Sequence, residues 1–115
     1  MHATQRNAIM KAFRQPQFGK LEARIQSGVT LVGFESPVVD PCRDQKPIIE
    51  RLARQFQGTA RVMDFNVDQH RQLASRLGVT SIPTLILFKD GRELRRFVGL
   101  QSAEVLADAI QAVLG

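Results

Sequence analysis

The chain carries one cysteine and neither tryptophan nor tyrosine. A lone cysteine excludes an intrachain disulfide framework and any site built from several cysteines. No apolar run approaches the roughly 20 residues that a membrane helix needs. The stretch Met1–Gln17 lacks the uninterrupted apolar segment of a secretory signal. The expected location is therefore the cytoplasm, which suits an unpaired thiol, and no membrane contact is expected. Acidic residues are scarce near the start. Before Gly28, Arg6, Lys11, Arg14, Lys20 and Arg24 are set against Glu22 alone, so most of the net charge of +5 lies there. Such a face reads as solvated. A nucleic-acid surface would need aromatic interleaving and a recognisable motif, and Phe13 and Phe18 sit at helix-like spacing that suits a core. No nucleic-acid partner is expected, while attraction to acidic partners stays open. No glycine-rich phosphate loop, Ser-His-Asp arrangement or carboxylate pair stands out. His2 and His70 are too far apart, with one cysteine, to make a metal site, and His70 reads as solvated in the first turn of a surface helix. Neither a metal nor a cofactor is expected.

The 115 residues suit one domain with a sizeable core. A hydrophobic fraction of 43% and a charged fraction of 23% fit an ordinary globule. Residues 29–34 (VTLVGF) form a short β-branched apolar run, read as a buried strand. Residues 43–57 repeat apolar side chains at helical spacing through Ile48, Ile49, Leu52, Ala53 and Phe56. Pro47 falls inside that pattern, where it should kink the helix. Residues 61–67 predict a strand with Met63, Phe65 and Val67 on one face and Val62, Asp64 and Asn66 on the other. A short helix over 69–77 ends at Gly78. A strand over 84–88, the Asp90-Gly91 turn and a returning strand over 92–98 make a hairpin. Ser102 caps a final helix with the stripe Val105, Leu106, Ala109, Ile110, Val113 and Leu114. Phe18–Gln26 reads as a helix with Leu21 and Ile25 inward, and an extra strand or helix is expected around residues 8–13.

Strand, helix, strand, helix, hairpin, helix is the order of an α/β domain with a mixed sheet and helices on both faces. The first half needs a right-handed crossover between parallel strands. The domain is expected to run over 18–115, after a basic N-terminal extension over 1–17.

In this order the chain resembles the thioredoxin family. The resemblance runs from about Phe18 to Leu114. It rests on VGFESPVVDPC (32–42) followed by a helix with Pro47, VMDFNVD (62–68), GVTSIPTLILFKDG (78–91) and Val98-Gly99. It implies a thioredoxin fold, a central mixed β-sheet flanked by helices, with a cis-proline at Pro83. Thioredoxins reduce protein disulfides with Trp-Cys-Gly-Pro-Cys at the start of the kinked helix: the first cysteine attacks, the second resolves. Here the matching stretch is Val38-Val39-Asp40-Pro41-Cys42. Val39 stands at the attacking position and Val38 at the tryptophan. Gly33 stands where the family has a buried aspartate that aids proton transfer, and Asp64 where a lysine commonly faces it. Glu35 replaces the second tryptophan.

Disulfide turnover of that type needs one thiolate to attack and a second thiol to release the product. A valine methyl does neither, so autonomous disulfide reductase activity is not expected. Cys42 reads in two ways. It is either a small packing residue or a working monothiol, aided by the helix N-terminus. Asp40 and Asp64 would raise its pKa, and the Val38-Val39 cover would limit access. The resemblance also implies a peptide groove bounded by the motif loop, the cis-proline loop and the Val98-Gly99 turn, where Ile82 pairs with an extended substrate. Its rim here is aliphatic through Val38, Val39, Ile82 and Leu100. The leading expectation is a redox-inactive module that binds a partner protein or extended peptide, as chaperone or assembly subunit. The alternative is a monothiol redox protein of thioredoxin type, serving cell redox homeostasis through Cys42. A third reading is an ordinary thioredoxin altered at Val39.

Overall fold

A computed structural model of the chain describes residues 19–114. The N-terminal extension and the element expected around residues 8–13 lie outside the described residues. Eight regular elements and one 3₁₀ turn follow in order: α1 (Gly19–Ile25), β1 (Val29–Glu35), α2 (Asp40–Gln55), β2 (Arg61–Asn66), the 3₁₀ turn Val67–Gln69, α3 (Arg71–Arg76), β3 (Thr84–Lys89), β4 (Arg92–Val98) and α4 (Ala103–Leu114).

The sheet has the order β2-β1-β3-β4. Strands β1 and β2 are parallel, so α2 is the crossover between them. Strands β3 and β4 join antiparallel. Alternation along the central strands sends side chains to two separate cores. Val32 and Phe34 of β1, with Ile86 and Phe88 of β3, pack under α1 and α3 against Leu21, Ile25, Leu73 and Leu77. Val29, Leu31, Leu85 and Leu87 point the other way, onto Ile49, Leu52, Leu106 and Ile110 of α2 and α4. Covered on both faces, β1 is buried along its whole length, which is why it reads as an unbroken apolar run.

The turn after β3 uses positive φ at both Asp90 (52°) and Gly91 (83°), the requirement that an Asp-Gly pair meets. It is stitched to the end of α1: Asp90 Oδ1 accepts from Gly28 N at 2.8 Å, and Gly91 N donates to Ile25 O at 2.8 Å. The Ser102 hydroxyl accepts from Val105 N at 3.1 Å, as an N-cap should.

Three expectations change. Helix α2 starts at Asp40 rather than 43, because Pro41 supplies a helical φ without needing an amide partner at the first turn. Helix α3 is shorter than expected and is preceded by the 3₁₀ turn. His70 is not a solvated residue of its first turn. It sits at the N-cap, half-buried, with its ring stacked on Phe65 at 4.6 Å between centroids.

Candidate functional site

Three chain segments come together at one end of the sheet. The peptide bond Ile82–Pro83 is cis. Strand β3 begins at Thr84, so Ile82 lies outside the sheet ladder, and Thr84 pairs with Val98 at the end of β4. Gly99 N donates to Pro83 O at 2.8 Å, which fixes the Val98-Gly99 turn on the cis-proline loop. Gly99 takes φ of 91°, where a side chain would be strained.

The motif helix is tied to this pair of loops by Gln45. That side chain is fully buried, accepts from Gln101 N at 2.8 Å and donates to Gln101 O at 3.1 Å. Replacing Gln45 by Ala strands a backbone donor and acceptor. We expect a loss of about 2 kcal/mol in chemical denaturation.

The motif loop folds back on itself. Val39 N donates to Ser36 O at 3.2 Å, and Cys42 N donates to Val39 O at 3.0 Å. The Ser36 hydroxyl donates to the Asp68 carboxylate after β2. Val38 is 76% exposed at the loop's outer edge, Val39 is half-buried, and Asp40 and Pro41 are exposed in the first turn of α2. Asp40 pairs loosely with Arg43 at 3.6 Å on the surface. Ile82 is half-buried and Pro83 buried, while Val98 and Leu100 are exposed. Of the four aliphatic residues expected at the rim, Val38 and Leu100 are exposed, while Val39 and Ile82 are half-buried.

Cys42 is only 3% exposed. Its sulfur accepts from Ser36 N at 3.4 Å. Burial pushes the thiol pKa up, the Ser36 amide pulls it down, and the charges of Glu35 and Asp68 push it up again. The sequence reading assigned that last push to Asp40 and Asp64. The carboxylates that act on the thiol are Glu35, one residue before Ser36, and Asp68, held against the same serine.

A carboxylate pair does exist, although none stood out in the sequence. Gly33 of β1 is paired with Asp64 of β2, and Glu35 with Asn66. Glu35 and Asp64 are thus diagonal neighbours on the sheet face that α2 covers. With Cys42, Arg43 and Lys46 they line a cleft of about 330 Å³. Glu35 is 8% exposed, and its Oε2 has no hydrogen-bond partner among the described residues. Burial first, then a hydrogen bond to Asp64 and the Asp64 charge, raise the Glu35 pKa to about 7; Lys46 opposes this and Glu50 adds to it. The folded chain therefore holds this proton more tightly than the unfolded chain does. Stability is expected to fall as pH rises from about 4.5 to 7, by up to about 1.4 kcal/mol per pH unit from this group. Unfolding of wild type and Glu35→Gln at several pH values checks it, with the variant losing that slope.

Gly33 itself explains why no aspartate stands there. A Cβ built on it would meet Ile49 Cδ1 at 2.5 Å. Ile49 of α2 packs directly onto this position.

With the geometry described, comparison with known proteins is direct. The Thioredoxin family model matches residues 12–112. The chain belongs to the thioredoxin family. A thioredoxin of Staphylococcus saprophyticus is 42% identical over 87 residues, spanning 76% of this chain and 84% of that protein. Among solved structures, a mutant thioredoxin of Halobacterium salinarum superposes with a TM-score of 0.74 at 35% identity, over 83% of this chain and 85% of the other. Fasciola hepatica thioredoxin gives 0.72 at 30% identity, over 82% and 88%. Within this thioredoxin fold, no helix of the described residues is long and apolar enough to cross a membrane. No group of three or more metal-ligating side chains is present among the described residues.

The sequence reading missed Glu35, Ser36, Gln45 and Asp68 as members of the site. A signal existed for Glu35, a charge at the end of an otherwise apolar strand. Nothing local marks Gln45, whose partner lies 56 residues away.

Proposed function

We propose that the chain is a binding module of the thioredoxin family, which holds an extended segment of a partner protein across the cis-proline groove and does not turn over disulfides by itself. The state of its single thiol carries this reading. Val39 replaces the attacking cysteine, and Cys42 is buried with its pKa pushed up. The groove keeps its framework: the cis bond before Pro83, the Gly99–Pro83 hydrogen bond and the Gln45 tie. Exposed Val38, Val98 and Leu100 offer a partner apolar contact, and Ile82 stands next to the cis-proline with its backbone outside the sheet. We place the protein in the cytoplasm, where a lone thiol stays reduced. No nucleic-acid or membrane surface is part of this reading. Such use resembles redox-independent roles of thioredoxin-like proteins as chaperone or assembly subunits.

A second reading has one observation in its favour: Cys42 remains in the first turn of α2, where the helix dipole favours a thiolate. It would then act as a monothiol in thioredoxin-type redox homeostasis. Two measurements separate the readings. Ellman's reagent is expected to leave native Cys42 untouched until denaturant is added. Proteins retained on the immobilised chain from its own cytosol are expected to stay bound in excess reductant, and to be lost with Leu100→Asp. Rapid native modification of Cys42, or release of partners by reductant, would favour the monothiol.

A further inference from the structure

The cleft between α2 and β2 has a composition that the groove does not need. Two carboxyl groups from adjacent strands, Glu35 and Asp64, line it. Of the two, Asp64 is exposed at the mouth and Glu35 is nine-tenths buried with an unpartnered Oε2. An unsatisfied buried carboxyl oxygen costs roughly 1–3 kcal/mol. Two acids this close are stable together only with a proton or a cation between them. The nearby basic side chains do not fill that role. Arg43 pairs loosely with Asp40 on the surface and, among the described residues, makes no ion pair with either acid. Lys46 is exposed and, among the described residues, makes no ion pair with either acid.

We propose that this cleft is a subsite for a guanidinium group, which bridges Glu35 and Asp64 and replaces the proton they otherwise share. Guanidinium fits better than a compact ammonium. It is planar, carries five donors in a fixed fork, and sheds water more readily on entering a partly buried site. The two acids lie on neighbouring strands of one sheet face, where a planar fork can offer an N–H to each. A cleft of about 330 Å³ is at the small end of the range for ligand sites. The subsite shares the motif loop with the cis-proline groove, since Ser36, Pro37 and Cys42 line the cleft, but its two acids stand on β1 and β2 rather than on β3 and β4.

Proton and guanidinium compete for the same oxygens, and this gives the test its signature. The groups around Glu35 are Asp64 on β2, and Lys46 and Glu50 on α2. Glu35 has its pKa raised to about 7, so the affinity for guanidinium follows its ionisation. Methylguanidinium chloride is titrated into the full chain at pH 6 and pH 8, at fixed ionic strength, and followed by side-chain carboxyl NMR signals. Urea serves as the neutral control of the same shape. Binding about tenfold tighter at pH 8, with shifts at Glu35 and Asp64 and none from urea, is the expected result. Glu35→Gln keeps the shape and is expected to weaken binding at least tenfold. If that variant fails to fold, Asp64→Asn at the exposed position carries the same expectation. Equal affinity at the two pH values, or wild-type affinity in the variants, overturns the proposal. N-acetylarginine amide and free arginine, run alongside, separate the sources. Tighter binding of the blocked form supports the site and assigns it to a protein side chain. The reverse order supports it and assigns it to the free amino acid. None of these outcomes depends on whether partners occupy the groove.

Discussion

Insulin mixed with this chain, NADPH and a thioredoxin reductase is expected to lose its disulfides at the uncatalysed rate. Exchange begins when a thiolate attacks a disulfide sulfur, and it ends when a second thiol displaces the product. Val39 removes the first actor. Cys42 does not substitute for it: the thiol is 3% exposed and is disfavoured as a thiolate by burial and by the charges of Glu35 and Asp68. Turbidity of released insulin B chain measures the rate directly. Turnover near that of an ordinary thioredoxin would sink the binding-module reading. Val39→Cys then measures how far the rest of the site has drifted. The new thiol would sit at the N-cap of α2, where the helix dipole lowers its pKa, so it should react with Ellman's reagent. Its turnover should still fall at least tenfold below an ordinary thioredoxin. The resolving thiol keeps its raised pKa, and a mixed disulfide that waits for a thiolate is released slowly. Full activity in Val39→Cys would instead favour an ordinary thioredoxin altered at one position.

The largest stability effect is expected at Gly33→Asp, the change that puts back the family's buried carboxylate. Its Cβ alone would press within 2.5 Å of Ile49 Cδ1, in a core where Leu85 and Leu52 leave little room for repacking. The methyl of Gly33→Ala is expected to cost about 1–2 kcal/mol by overpacking. The carboxylate adds the cost of burying a charge beside Glu35 and Asp64, two further acids, for a total of about 4 kcal/mol or more. Combining it with Ile49→Ala relieves the contact and leaves the charge. The double variant should therefore not recover wild-type stability, and its deficit should shrink as pH falls. Denaturant midpoints of the single and double variants at pH 5 and pH 8 test both parts. A neutral Gly33→Asp would mean that α2 yields easily and that Gly33 has no packing role.

How much of this was legible beforehand depends on the range of the interaction. Elements governed by alternation and local turn chemistry were readable. The two faces of β2, the Asp90-Gly91 hairpin and the Ser102 cap stand where the residues put them. The stretch Val38-Val39-Asp40-Pro41-Cys42 could be read directly against the family's motif, because it is contiguous. Features that need two distant segments were not readable. Glu35 was seen as a lost tryptophan, since nothing in its neighbours says that Asp64 arrives diagonally across a parallel ladder. His70 looked like a helix-surface residue until Phe65 came under its ring. Gln45 resembles any polar residue of an amphipathic helix, and only the fold brings it to Gln101.

The Gln45 clasp has a consequence for how tightly the groove can hold anything. Flexible loops must be ordered when a ligand arrives, at roughly 0.5–1.5 kcal/mol for each side chain fixed. Here the cis-proline loop, the turn at Gly99 and the start of the motif helix are already bonded to one another before any partner arrives. The entropy lost on capture then falls mainly on the partner. A segment held in an extended shape by its own proline or by a neighbouring strand would gain most, while a floppy tail of the same composition would bind weakly. The clasp therefore selects for stiffness in what it meets, in addition to side-chain chemistry.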